Sequence, residues 1–259
     1  MTGTKDSNSI DGSSKEILNK INKAASVIEI FDREYPEAAC SLRYVDPLQL
    51  LVSTQLSAQC TDERVNRVTK DLFIKYRNAS DYAGAEISEL ENDIRSTGFF
   101  RNKARNIKAC CMMLITDFGG KVPDNMDDLL RLPGVGRKTA NLVLGDAFGK
   151  PGIVVDTHAG RLARRIGFTD KEDPVKVEYD LMAVVPRDRW SSFSHQMVMH
   201  GREVCKSRKP LCDSCPVRKY CDFGSAATAA TAANTAVTAD NAFADTTEAD
   251  LEINSRPKS

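Results

Sequence analysis

The sequence predicts an all-α protein, and three observations carry that reading. Apolar residues recur at three- and four-residue spacing in one segment after another. No long alternating run of apolar and polar residues, with the hairpin turns a sheet needs, competes with that period. Short breakers cut the chain into helix-length pieces: Gly98, Gly119-Gly120 with Pro123, Pro133-Gly134, Gly149 to Gly152, Gly167 and Pro186.

The first element is expected over 14–34, where Ile17, Ile21, Ala24, Ile28 and Phe31 mark one face and Pro36 stops the pattern. The same period marks segments near 47–59, 62–76, 86–95 and 102–117. A short helix precedes the Pro133-Gly134 turn, and longer ones follow near 137–148, 158–166, 174–184 and 189–202. There is no internal repeat. After Cys221 the chain becomes AATAATAANTAVTA and then scattered acids. Such a segment buries too little apolar surface to offset its ordering entropy, so residues 226–259 are expected to be a disordered tail, with a weak alanine-rich helix as the competing reading.

A chain of 259 residues with 41% hydrophobic content can build one large domain or two small ones. Its formal charge is zero, with 36 basic and 36 acidic residues. The acids are concentrated late: residues 222–259 hold six acids against two bases, which leaves 34 bases and 30 acids in the remainder. That mildly basic body permits a nucleic-acid partner without demanding one. The first residues show no apolar run of signal-peptide length, and the uncharged stretch 223–239 is mostly Ala and Thr. A cytoplasmic protein without a membrane segment is therefore expected, and eight cysteines in a reducing compartment are read first as metal or cluster ligands.

Four of them satisfy that reading. Cys205, Cys212, Cys215 and Cys221 form C-x6-C-x2-C-x5-C within CKSRKPLCDSCPVRKYC. Cysteines buried only for packing have no reason to gather in a loop rich in Pro and Lys. Both zinc and a [4Fe–4S] cluster accept four thiolates. Zinc sites more often use two short Cys-x2–4-Cys pairs, and this loop has one. Pinned at four points, the loop can present Lys206, Arg208, Lys209, Arg218 and Lys219 to phosphates. Cys40, Cys60, Cys110 and Cys111 stand in apolar surroundings as packing residues.

Leu132-Pro133-Gly134-Val135-Gly136 connects two helices. Its glycines allow a tight turn and a close approach to a ligand. With the N-terminus of the next helix they offer N–H donors and a positive dipole end, suited to one backbone phosphate. Such a turn alone is usually a plain connector, but here Arg137 and Lys138 follow directly.

At this point the chain resembles the helix-hairpin-helix DNA glycosylases, and within them the endonuclease III family. LPGVGRKTAN is similar to that family's hairpin and catalytic-lysine segment, and VDTHAGRLARRIG at 155–167 to its catalytic-aspartate segment. The cysteines match its iron–sulfur loop in all three spacings, and LLVSTQLSAQCTDERVN at 50–66 is similar to an early helix and loop. The resemblance spans about residues 40–221 in family order. It implies a helical barrel over 40–150 carrying the hairpin, and a [4Fe–4S] cluster domain assembled from residues 151–225 and the helix within 1–39. Double-stranded DNA would lie in the groove between them.

The resemblance makes Lys138 the nucleophile that displaces the base and forms an imine to the sugar. It gives Asp156 the task of stabilising developing positive charge and assisting proton transfer. Gln59 takes the gap-filling position, with Phe99 or Phe100 as a second wedge where the family typically carries an aliphatic residue. Gly134, Val135, Gly136 and Arg137 are the expected phosphate contacts. His158 is read as a structural partner or a contact near the phosphate. The implied activity is base excision repair: removal of oxidised pyrimidines from chromosomal DNA, then β-elimination at the abasic site, by a monomer. A monofunctional glycosylase is the enzymatic rival, set aside by the presence of Lys138. A non-catalytic cluster protein is the rival from another class.

Overall fold

In the computed structural model, residues 7–226 are described, and they contain the eleven α-helices named below, a further helical stretch at 222–226, and no strand. The tail expected to be disordered, 226–259, lies outside the described residues except for Ala226.

Helix α1 (Ser7–Glu34) is the longest, and it starts earlier than its apolar stripe because the serine-rich segment ahead of Ile17 offers no periodic face to read. Helix α2 (Pro47–Leu56) opens on Asp46, whose carboxylate accepts from the Gln49 N–H, with Pro47 in the first turn, where its missing donor is harmless. It stops short of the expected residue 59 because Gln59 takes a left-handed backbone, φ 53°. Thr61 caps α3 (Asp62–Lys75), and Asn78 caps α4 (Ala79–Gly84). Periodicity missed α4, since six residues are too few to show a stripe. Helix α5 (Ile87–Asp93) leads through a 3-10 turn at Arg95–Thr97 into α6 (Phe100–Phe118), which ends at Gly119. Asn125 caps α7 (Met126–Arg131), and the glycine turn then delivers α8 (Arg137–Phe148). The remaining helices are α9 (Thr157–Ile166), α10 (Pro174–Val184) and α11 (Trp190–Glu203).

The side chains pack into two cores. One draws on α2 to α8 and includes Leu50, Leu56, Tyr82, Ile107, Leu114 and Val143. The other joins α1 to α9, α10 and α11 through Phe31, Leu162, Phe168, Leu181, Phe193 and Met197. Each fully buried Leu or Phe contributes about 1.5–3 kcal/mol, so each core supplies a substantial drive of its own. Polar links cross the seam between them: His195 to Asp146 at 2.8 Å and Arg202 to Asp62 at 2.9 Å. No helix among the described residues is long and apolar enough to cross a membrane.

Candidate active site

Lys138 and Asp156 reach the seam from opposite sides. Lys138 stands in the first turn of α8, on the first core, and Asp156 caps α9, on the second. Together they line two adjoining cavities, one shared with Thr54, Asp62, His195 and Arg202, the other with Thr157, Arg164 and Glu172. Lys138 is exposed and, among the described residues, has neither an ion pair nor a hydrogen bond. Asp156 is half-committed: Oδ1 accepts from the backbone N–H of His158 and Ala159, both at 2.8 Å, and Oδ2 accepts from no described residue. One carboxylate oxygen fixes the helix and the other has no partner among the described residues. Cys40 lines the same cavity, but burial pushes its thiol up to about 11, so it is protonated at neutral pH and does not rival the amine.

The turn before α8 has a backbone that only glycine can adopt. Gly134 sits at φ 77°, and a Cβ there would meet Asn106 Cβ and Gln55 Oε1 at 2.9 Å. The Val135 N–H closes the turn on the Leu132 carbonyl at 3.1 Å. Gly136 is the N-cap of α8 and has no side chain to cover its first amides. Val135 itself packs into the first core. Arg137, expected as a phosphate contact, is committed elsewhere: its Nε donates to the buried Glu178 carboxylate at 2.8 Å, and the guanidinium lies over the Tyr179 ring at 5.0 Å. That partner was hidden because it is 41 positions away.

Gln59 and Phe99 flank a neighbouring cavity with Lys103, Asn102, Asn106 and Gly134. Only three non-glycine residues among those described have positive φ: Gln59 at 53°, Phe99 at 47° and Lys209 at 53°. Residues held in that region cluster where strain serves function. Phe99 is 64% exposed, an odd setting for a large apolar ring, whereas Phe100 packs against the first core beneath Arg95 and Arg101. Exposure therefore favours Phe99 over Phe100 as the wedge candidate.

His158 is held by the structure. Its Nδ1 lies 3.2 Å from Arg161 Nη2, and its Cβ would stand 2.8 Å from a side chain at Gly201, so α9 and α11 meet closely here. Arg161 also donates to the Gly201 carbonyl at 2.9 Å and to the Cys205 carbonyl at 2.8 Å. One turn later Arg165 donates to Cys205 Sγ at 3.2 Å and to the Lys206 carbonyl at 2.8 Å. The helix capped by Asp156 thus also grips the cysteine loop.

All four thiols line one apolar cavity, with Leu162, Ile166 and His200. They do not converge on a point: among the described residues no three His, Cys, Asp or Glu side chains are gathered as a single ion requires. Zinc would draw four sulfurs to about 2.3 Å from one centre. A cavity lined by four thiols is compatible in donor set with either a single ion or a multi-atom cluster. The remaining cysteines are free, with Cys110 and Cys111 buried and Cys40 and Cys60 half-buried against the first core.

Sequence reasoning missed His195, Arg202 and Asp62 in the Lys138 cavity. Their pairs join positions 49 and 140 apart, and no local motif announces them.

Residues 52–187 match the model of the HhH-GPD superfamily base excision DNA repair protein, and residues 205–221 match that of the iron–sulfur binding domain of endonuclease III. Endonuclease III of Synechocystis sp. is 49% identical over 208 residues, which cover 80% of this chain and 95% of the relative. Endonuclease III of Bacillus subtilis is 48% identical over 191 residues, 73% and 87% of the two chains. A solved structure of a trapped endonuclease III–DNA covalent intermediate superposes with a TM-score of 0.77 at 45% identity, covering 80% of this chain and 98% of that one. A thermostable thymine-DNA glycosylase gives 0.72 at 25% identity, covering 79% and 97%.

Proposed function

The chain belongs to the endonuclease III family of the HhH-GPD superfamily of base excision DNA repair proteins, as a DNA glycosylase and abasic-site lyase with a [4Fe–4S] cluster, and from that premise we propose how its own residues do the work. Lys138 is the nucleophile. Its neutral amine attacks C1′ of the damaged nucleotide, the glycosidic C–N bond breaks, and the base leaves with the bonding electrons and a proton. The sugar ring opens to an imine on Nζ. Loss of a C2′ proton then expels the 3′ phosphate, and water releases the lysine. The free oxygen of Asp156 faces the positive charge that develops on the sugar and can take or return the lysine proton.

The observation that carries this reading is the pair itself: an unpartnered Lys138 amine and an Asp156 carboxylate with one oxygen uncommitted, from two separate cores, sharing the same two cavities. The glycine amides of the turn and the start of α8, where Gly136 brings no capping side chain, hold one backbone phosphate beside Lys138. Gln59 and Phe99 fill the gap that a flipped nucleotide leaves in the duplex, with the Phe99 ring stacking where an aliphatic side chain would only occupy volume. The substrates are duplexes with an oxidised pyrimidine or an abasic site, and a single copy acts on them. The barrel comprises residues 40–150, and the cluster part comprises residues 151–225 with the helix within 1–39.

The four thiolates hold the cluster, which when bound supplies a rigid closure of the basic loop. Lys206, Arg208 and Lys209 are exposed there without ion pairs among the described residues, ready for phosphates. The test is Lys138→Gln: strand cutting at an abasic site falls by at least about three orders of magnitude while DNA binding stays within about threefold. Unchanged cutting would remove Lys138 from the mechanism.

A further inference from the structure

Lys103 is a cation in an unusual place. It lies in the first turn of α6, only 5% exposed, with no carboxylate paired to it among the described residues. Its Nζ donates to two backbone carbonyls, Leu56 at 2.7 Å and Thr97 at 2.8 Å. Burial lowers its pKa, as expected for an ammonium drawn out of water without an anion. A methionine would fill such a space without that desolvation penalty.

The two carbonyls explain the choice. Leu56 ends α2, three residues before Gln59, and Thr97 ends the 3-10 turn, two residues before Phe99. The ammonium therefore joins the two loops that carry the gap-filling candidates. The Lys103 backbone N–H also donates to the Phe99 carbonyl at 3.1 Å, anchoring the same residue from its own helix. Within each loop the backbone bonds are local, such as Cys60 N–H to Ser57 and Gly98 N–H to Arg95. Among the described residues a second link reaches the Thr97 side from the start of α3, where exposed Arg64 donates to the Ser96 carbonyl, at 3.4 Å the edge of hydrogen-bonding range. Gln59 and Phe99 hold strained left-handed backbones at the rim of one cavity, and Lys103 lines that cavity beneath them.

We propose that Lys103 is a positioning residue that fixes the separation of Gln59 and Phe99, so that both enter the opened base stack as one rigid unit. The assignment rests on the reading of those two residues as gap-fillers. Unstacking is costly at every step, so side chains that hold a gap open must not yield to the closing stack. A buried ammonium with two short bonds resists that spreading better than an exposed arginine at the edge of range. Lys103 acts on flipping and leaves imine chemistry alone, because it touches neither Lys138 nor Asp156.

The experiment compares Lys103→Met with the native chain, both loaded with cluster, on two substrates. With one oxidised pyrimidine in a full duplex, base release slows by about tenfold or more. With a single-stranded oligonucleotide carrying an abasic site, where nothing needs flipping, borohydride trapping stays within about twofold. In a Lys138→Gln background, a 2-aminopurine beside the lesion reports the lost unstacking directly. Lys103→Gln, which keeps amide donors and buries no charge, folds at least as readily and gives a smaller defect on the duplex alone. Equal losses on both substrates overturn the proposal, as does a full Lys103→Met defect added on top of Gln59→Ala/Phe99→Ala. If Gln59→Ala/Phe99→Ala itself opens the duplex as well as native, the gap-filling reading falls first. If that pair fails to open the duplex but Lys103→Met opens it normally, the clamp alone is wrong.

Discussion

Asp156 divides its labour between its two oxygens, and that division can be tested by one atom's exchange. Asparagine is as good an N-cap as aspartate, so Asp156→Asn keeps the bonds to the His158 and Ala159 amides and changes stability by less than about 1 kcal/mol. It removes the charge opposite Lys138. Base release is expected to fall by about 10²–10⁴ in single-turnover assays while the melting temperature holds. A parallel loss of both would make Asp156 a structural cap only. Asp156 and Lys138 stood out in the sequence because both sit in short local motifs, a capped helix start and a glycine turn. There was no sign there of the Arg137–Glu178 pair or of the bonds Lys103 makes, because partners such as Glu178 and Leu56 are distant along the chain.

At the scale of elements, the glycine turn and α9 each tie two tasks together. Gly134→Ala introduces a left-handed penalty of about 1–2 kcal/mol, and a Cβ that meets Asn106 and Gln55 at 2.9 Å. Displaced amides at the head of α8 are expected to weaken binding to an abasic-site duplex by about tenfold, measured by fluorescence anisotropy, alongside an earlier urea midpoint. Native affinity in this variant would exclude the turn as a phosphate site. Helix α9 carries Asp156 at its head and grips the cysteine loop through Arg161 and Arg165. Arg161→Leu should accelerate loss of the brown cluster absorbance several-fold while freshly prepared protein still forms its imine. Most helices of ten or more residues were legible from an apolar stripe, while α2 is buried on every face over Leu50–Leu56. The six residues of α4 were not, and α2 ran long on paper because nothing local announces the left-handed Gln59.

For the molecule as a whole, two cores meet at a polar seam, and neither Lys138 nor Asp156 is spent on binding the cores together: links across it include His195 to Asp146 and Arg202 to Asp62. Asp32 helps to hold α1 onto the second core, accepting hydrogen bonds from Arg189 and, at 2.9 Å, from Gln196. The Arg189 hydrogen bond holds the Asp32 carboxyl below its ordinary value of 3.8. A depressed folded pKa gives stability that is present above the unfolded value and is lost as pH falls through the folded one. Asp32→Asn should therefore flatten the acid limb of the stability curve below about pH 4 and leave the neutral region's pH dependence unchanged. The all-helical architecture was readable from period alone. The meeting of α8 and α9 at one cavity was implied by resemblance and not by period, because it depends on how two separately legible halves dock. The central claim, an imine through Lys138, is tested most directly by borohydride trapping on a duplex with a single abasic site, followed by mass mapping of the adduct. The account predicts a covalent adduct on the peptide containing Lys138 and none with Lys138→Ala; an adduct of native yield in that variant, or one mapped to another lysine, would contradict it.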